Sequence, residues 1–336
     1  MDKYILVTGG AGFIGSHLTE ALLKSQQKVI VLDNFNDFYD PEIKRGNIKA
    51  ITTKMAELGI PEDHFQIVEG DIRNTEQMDK LFASFSIQLV VHLAAMAGVR
   101  PSISVPLLYN DVNINGTLNL LELCRKYGVK KFVFASSSSV YGNNKKVPFS
   151  ETDFVDHPIS PYAATKRAGE LICYTYHHLY GMDLACLRFF TVYGPRQRPD
   201  LAIHKFTKLI INDQEVPFYG DGTTERDYTF IDDIIEGVVK AIQWVQAGQG
   251  LYEIFNLGES RTVNLKEMVT TLEKEIGKKA KLKVLPMQPG DVQRTYADIT
   301  KAQKILGYQP TTAFEDGIKQ FIQWYKEVNN ITLINV

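Results

Sequence analysis

Residues 4–17 read YILVTGGAGFIGSH, and the fold turns on them. Four apolar, β-prone residues (4–7) run directly into a turn with glycines at Gly9, Gly12 and Gly15, and residues 17–24 continue with helical periodicity. A glycine turn between strand and helix lets the backbone approach a pyrophosphate, and the helix N-terminus aims N–H groups at it. The spacing is G-x-x-G-x-x-G, not the commoner G-x-G-x-x-G, and glycines alone would also suit a tight turn with no ligand. The second strand, 29–32, separates these readings, because it ends in Asp33 and completes a βαβ unit. A carboxylate there takes both hydroxyls of an adenosine ribose, while a 2′-phosphate would meet a like charge. Asn34 and Phe35 follow, so the local sequence puts no arginine beside Asp33, and NAD is expected over NADP.

Outward from this unit the same alternation continues. Residues 40–58, 75–82, 117–127 and 162–180 read as helices, and 65–68, 89–93, 131–135 and 183–189 as strands. Strands alternating with helices imply an α/β protein with a doubly wound parallel sheet of Rossmann type, covered on both faces. After Gly194 the texture changes to Pro/Gly-rich loops carrying arginines, including GPRQRPD, PFYGDGTTERDY and LPMQPGD. The expected organisation is a nucleotide-binding domain over 1–190 and a smaller C-terminal substrate lobe over 191–330, with a strand near 252–258 returning to the main sheet. The closing ITLINV reads as an edge strand or a tail.

Composition narrows the function classes. A formal net charge of −2 over 336 residues gives no global field for nucleic acid or an anionic membrane. No run approaches the ~18 apolar residues of a membrane span, and MDKYILVTGG enters a strand without a charged leader, so a soluble cytoplasmic protein is expected. Cys124, Cys173 and Cys186 lack C-x-x-C spacing and read as buried thiols. His92, His157, His177 and His178 have no second ligand at metal spacing, so they read as core or surface residues and no metal is expected.

The chemistry-bearing stretch is SPYAATK, residues 160–166. A helix starting at Pro161 puts Tyr162 and Lys166 one turn apart on one face. A nearby ammonium favours the ionised phenol and so makes Tyr162 a usable base. Alone, the pair is more often a packed ring beside a solvated lysine. Residues 135–142, ASSSSVYG, end an apolar strand where open α/β sheets place their active sites, and so offer a hydroxyl partner.

TGGAGFIGSH, Asp33, GDI at 70–72, HLAA at 92–95, SSSSVYG and Tyr162 with Lys166 occur in one order. Together they resemble the extended short-chain dehydrogenase/reductase family, in its nucleotide-sugar epimerase and dehydratase branch, over nearly the whole chain. The resemblance implies catalytic Tyr162, Lys166 and Ser137, the serine three residues before Val140. It implies NAD contacts at Gly9, Gly12, Phe13, Ile14, Gly15, Asp33, Asn34, Asp71, Ile72, Leu93, Ala94, Ala95 and Asn113, with Tyr162 and Lys166. Dehydratase relatives carry acids in the two positions after the triad hydroxyl, and decarboxylating relatives a glutamate just before Val-Tyr-Gly. Here those positions hold Ser138 and Ser139. What remains is oxidation at C4, rotation of the ketone and return of hydride to the other face: a 4-epimerisation.

By the same resemblance, Arg226 in ERDYTFIDD and Arg294 in QRTYAD grip a nucleoside diphosphate, and Pro217 and Tyr219 lie along uracil. AGVR at 97–100, with Arg100, and RFFTVYGPRQRPD at 188–200 resemble the branch acting on UDP-glucuronate, where Thr191, Arg198, Ser138 and Ser139 receive the sugar carboxylate. Hydroxyls and a guanidinium suit both carboxylate oxygens. UDP-glucose and UDP-N-acetylglucosamine follow as alternatives. Thr295 sits where some glucose/galactose epimerases have a bulky tyrosine, so the pocket reads as roomy. A non-catalytic NAD-binding sensor is the reading from another class. Helices 117–127 and 162–180 resemble the pair that forms a homodimer in this family.

Overall fold

The computed structural model describes residues 3–287 and 292–331. The end of the LPMQPGD loop and residues 332–336 of the apolar tail lie outside the described residues. Six early strands, β1 (Lys3–Thr8), β2 (Lys28–Asp33), β3 (Phe65–Glu69), β4 (Ser86–His92), β5 (Lys131–Ser137) and β6 (Asp183–Phe189), join a late one, Tyr252–Leu257. Across the sheet the order is Tyr252–Leu257, β6, β5, β4, β1, β2, β3, and every pairing is parallel. The doubly wound architecture is as expected.

Strand residues alternate between two cores. Leu6, Ile30, Leu32, Val90, Phe132, Phe134 and Leu184 face one; Ile5, Val7, Val29, Val31, Leu89, Val91, Val133 and Leu187 face the other. With both faces buried, the strands read as continuous apolar runs, and each fully buried aliphatic side chain contributes about 1.5–3 kcal/mol. Helix α1 (Phe13–Lys24) follows β1, α2 (Pro41–Glu57) lies between β2 and β3, and α3 (Thr75–Ser84) between β3 and β4. From β1 the chain winds outward through β2 and β3, then returns to β1's other side with β4. The β1/β4 boundary is therefore the switch point where such sheets bind ligands.

The C-terminal half weaves between two layers. Helices Ala202–Ile211 and Leu265–Ile276 pack with the parallel pair Glu215–Tyr219 and Lys281–Leu285. Helix Ile231–Ala247 instead packs on α1 and β6 and delivers the chain to Tyr252–Leu257. Val216, Phe218, Met268 and Leu272 share the hydrophobic core of Val133 and Leu187. The boundary near 190 is thus no clean cut.

One buried polar network ties the layers together. Glu170, fully buried on helix Pro161–Tyr180, accepts from Arg188 on β6 at 2.8 and 2.9 Å, from Ser136 at 2.6 Å and from Arg167 at 3.0 Å. Arg188 also donates to Tyr141, whose hydroxyl donates to Asn256 on the late strand. Burial pulls the Glu170 pKa upward, but Arg188, Ser136 and Arg167 outweigh it and leave it lowered.

Candidate active site

A cavity of about 380 Å³ opens along the carboxyl ends of β1, β2, β4, β5 and β6, within the usual range for small-molecule sites. Its floor is the glycine turn. Gly9 sits at φ 69° against the strand end after β4, where a Cβ would lie 2.9 Å from the Ala94 Cα. At Gly15 a Cβ would lie 2.2 Å from the Gly9 carbonyl oxygen. Gly12 caps α1 without any side-chain hydrogen bond, and the first turn holds no acid. The opening N–H groups of α1 are therefore left for an anion, and Phe13, Ile14 and Gly15 line the cavity there. This is a close fit to a dinucleotide pyrophosphate.

At one end, Asp33, Asn34, Asp71 and Ile72 line the wall, and Leu93, Ala94 and Ala95 continue it past β4. Asp71 accepts from Arg73 and Asn34, and the arginine bond leads in holding its carboxyl down to about 2. Asn113 does not line the cavity. It stands behind, in the π-helical turn Asp111–Asn115, donating to the Met96 carbonyl and Thr165 and accepting from the Met96 N–H. Those bonds steady the loop after β4. His92 is buried between Thr8 and Thr117, and burial holds it down to about 3, so it is a neutral core ring.

At Asp33 the local sequence misleads about charge. Its neighbours along the chain bring no cation, but Lys44 on α2 reaches it at 3.0 Å, both side chains buried. Asp33 also accepts from the Phe35 and Ala11 N–H groups. The pairing was invisible in sequence because it depends on how the 34–40 loop folds back.

The structure brings Tyr162, Lys166 and Ser137 together. Ser160 accepts from the Ala163 N–H, Pro161 occupies the first turn, and the helix starts where the sequence placed it. The three side chains line one cavity, and the Ser137 Oγ accepts from the Ser139 N–H. Lys166 Nζ lies 5.9 Å from the Tyr162 ring centroid, but its bond goes to the Ala135 carbonyl at 2.8 Å. Burial holds Lys166 down to about 8. The expected fall in the Tyr162 pKa is not found: burial raises it, and the Ser137 hydroxyl and the Arg198 charge oppose the rise. The chain by itself therefore keeps Tyr162 protonated.

Thr191 and Arg198 line the same cavity. Arg198 lies 5.3 Å over the Phe38 ring and donates twice to Asp200, at 2.9 and 2.8 Å. Ser138 and Ser139 fall in the short turn Ser138–Tyr141 and are not part of the lining, though the Ser139 hydroxyl is buried without a hydrogen-bond partner. Arg100, Pro217, Tyr219, Arg226 and Arg294 also lie outside it. Arg100 sits 5.3 Å over the Tyr219 ring, and Arg294 pairs with Glu225, whose carbonyl accepts from Arg226. Thr295 accepts from the Asp227 N–H. The sequence reading passed over Phe38, Tyr39 and Lys44, all of which line the cavity. Their signal was the aromatic pair in NDFYDPEIK, directly after Asp33.

Comparison with known proteins agrees with this geometry. Residues 6–321 match the family described as GDP-mannose 4,6 dehydratase. A UDP-glucuronate 4-epimerase of Thermodesulfobacterium geofontis is 45% identical over 332 residues, covering 98% of either chain. The structure of a Bacillus cereus UDP-glucuronic acid 4-epimerase in complex with UDP-glucuronic acid and NAD superposes with a TM-score of 0.86, at 39% identity, over 97% of this chain and 99% of that one. A Thermotoga maritima UDP-glucose 4-epimerase superposes at 0.85 with 33% identity, over 97% and 99%. The chain belongs to the GDP-mannose 4,6 dehydratase family of extended short-chain dehydrogenase/reductases, in the nucleotide-sugar epimerase branch.

Proposed function

We propose that this chain is an NAD-dependent UDP-sugar 4-epimerase and that its sugar is UDP-glucuronate. The observation that carries the reaction is that Tyr162, Ser137 and Lys166 line one cavity with the uncapped glycine turn, with no carboxylate at Ser138 or Ser139. When bound, NAD supplies the reversible hydride acceptor that these side chains lack. Gly9, Gly12, Phe13, Ile14, Gly15, Asp33, Asn34, Asp71, Ile72, Leu93, Ala94 and Ala95 would hold it.

The chain's own part is proton transfer and orientation. Tyr162 takes the proton from the sugar C4 hydroxyl and later returns it to the inverted centre. Ser137 holds the same oxygen in line, and the positive charges of Lys166 and Arg198 stabilise the phenolate while it lasts. Burial makes the neutral phenol the resting form of the chain by itself, so Tyr162 acts as base only after losing its own proton, a loss that Lys166, Arg198 and the positive charge of NAD, when bound, would favour. Without a second acid near the reacting carbons, elimination toward a dehydrated sugar lacks its catalyst.

For the sugar, Arg198 and Thr191 line the same cavity as the trio, and a guanidinium with a hydroxyl suits a carboxylate. A clamp of this kind also guards the 4-keto intermediate, a β-keto acid prone to lose CO2. Arg226 and Arg294, adjacent across Glu225, support a diphosphate grip, with Tyr219, Pro217 and Arg100 toward the base. One observation favours the second reading, UDP-glucose: the Arg198 charge is already met by Asp200. Incubating the protein without added cofactor with UDP-glucuronate, UDP-glucose or UDP-N-acetylglucosamine, and resolving 4-epimers and CO2, tests both. Exclusive turnover of a neutral sugar would refute the sugar assignment. Full activity in Tyr162→Phe would refute the mechanism, and turnover by the wild type sets aside a non-catalytic sensor.

A homodimer fits the outer faces of two adjacent helices: Leu118 on Gly116–Tyr127, and Leu171, Tyr174 and Leu179 on Pro161–Tyr180, are exposed. Sedimentation at micromolar concentration tests it, a monomer being the contrary result. Three buried free thiols suit a reducing cytoplasm, and among the described residues no helix is long and apolar enough to cross a membrane.

A further inference from the structure

The Lys44–Asp33 pair has a consequence for which dinucleotide the chain accepts. Lys44 comes from the first turns of α2, and Asp40 caps that helix by accepting from the Glu42 N–H. This fixes where Lys44 emerges. Its ammonium reaches Asp33 Oδ1 at 3.0 Å, lies 5.5 Å over the Tyr39 ring and lines the cavity. An ammonium has three donors, and one is spent on Asp33. Asp33 in turn accepts from Lys44 and two backbone N–H groups, so much of its accepting capacity is taken within the chain.

The carboxylates lining this end are therefore paired within the chain. Asp33 is met by Lys44, and Asp71 by Arg73, which it shares with Asp111. A lone strand-end carboxylate repels a 2′-phosphate, whereas a cation beside it accommodates one. A lysine acts on phosphate as a point charge and needs no fork geometry.

We propose that Lys44 is a second recognition group at the ribose end and that the pocket accepts NADP with an affinity within about tenfold of that for NAD. This rests on reading the cavity as a dinucleotide site. Asp33 still prefers free ribose hydroxyls, and Lys44 removes most of the penalty for phosphorylating one of them.

The test is calorimetric titration of nucleotide-stripped full-length protein with NAD and with NADP, in the wild type, Lys44→Gln, Lys44→Arg and Asp33→Asn. In the wild type the two dissociation constants are expected within about tenfold. Lys44→Gln should weaken NADP at least about tenfold more than NAD, Lys44→Arg should leave their ratio unchanged, and Asp33→Asn should shift it toward NADP. A wild-type preference for NAD beyond about a hundredfold overturns the proposal, even if Lys44→Gln does not fold. So does equal weakening of both nucleotides in Lys44→Gln, which marks a purely structural pair. If neither nucleotide binds the wild type, the dinucleotide reading itself fails, which is a separate outcome.

Discussion

Replacing Glu170 by Ala tests the network that sets the strand carrying Ser137 against the helix carrying Tyr162. The change strands Arg188, which is 1% exposed and bound through two nitrogens to the lost carboxylate, and leaves Ser136 and Arg167 without that acceptor. An uncompensated buried charge costs about 3–5 kcal/mol. Unfolding entropy near 2.1 cal/mol/K per residue over 336 residues is about 0.7 kcal/mol/K, so the melting temperature should fall by about 4–7 °C. Scanning calorimetry of the full chain measures this. Pairing Glu170→Ala with Arg188→Met removes the stranded charge and should recover part of the loss. Turnover should fall as well, because Ser136 precedes Ser137 and its bond to Glu170 orients the end of β5. A drop below about 1 °C, or a double variant no more stable than the single, would show that the pair carries little of the load assigned to it.

Further expectations follow from single contacts. Gly15→Ala puts a Cβ 2.2 Å from the Gly9 carbonyl oxygen and 2.7 Å from the Gly10 Cα, both backbone, so the turn must open. Overpacking of about 1–3 kcal/mol translates to roughly fivefold to a hundred-and-fiftyfold weaker NAD binding, and unchanged affinity would contradict the cradle. Asp200→Asn frees the Arg198 guanidinium, so KM for UDP-glucuronate should fall about threefold to tenfold relative to UDP-glucose; an equal change for both sugars would mean Arg198 does not meet the carboxylate. Lys166, at about 8 in the fold against 10.5 unfolded, penalises the folded state while charged. The unfolded chain binds the extra proton between those values, so stability from this group rises with pH across that window. The stability advantage of Lys166→Met in nucleotide-stripped protein should therefore be largest below pH 8 and shrink toward pH 10.5, as read by denaturant titration.

The N-terminal half was legible because its information is local. The central strands are buried on both faces and so are largely apolar, and Pro161 after Ser160 marks a helix start without any partner being known. The lobe was less so. Helix Ile231–Ala247 has strong apolar periodicity but sits between Pro/Gly-rich loops, and its place against α1 is a long-range fact. Arg226 and Arg294 are far apart in the chain, yet meet across Glu225 through one bridge.

By itself, then, the sequence determined the doubly wound sheet, the glycine turn with Asp33 and the one-turn spacing of Tyr162 and Lys166, since these follow from periodicity and short spacings, while Ser137 rested on the family resemblance. Only the tertiary structure decided the charge state around them. Lys44 neutralises Asp33 across a folded loop, Asp200 occupies Arg198, and Lys166 turns to the Ala135 carbonyl while burial raises the Tyr162 pKa. Electrostatic energies depend on distance and on exclusion of water, and neither quantity exists until distant parts of the chain have packed.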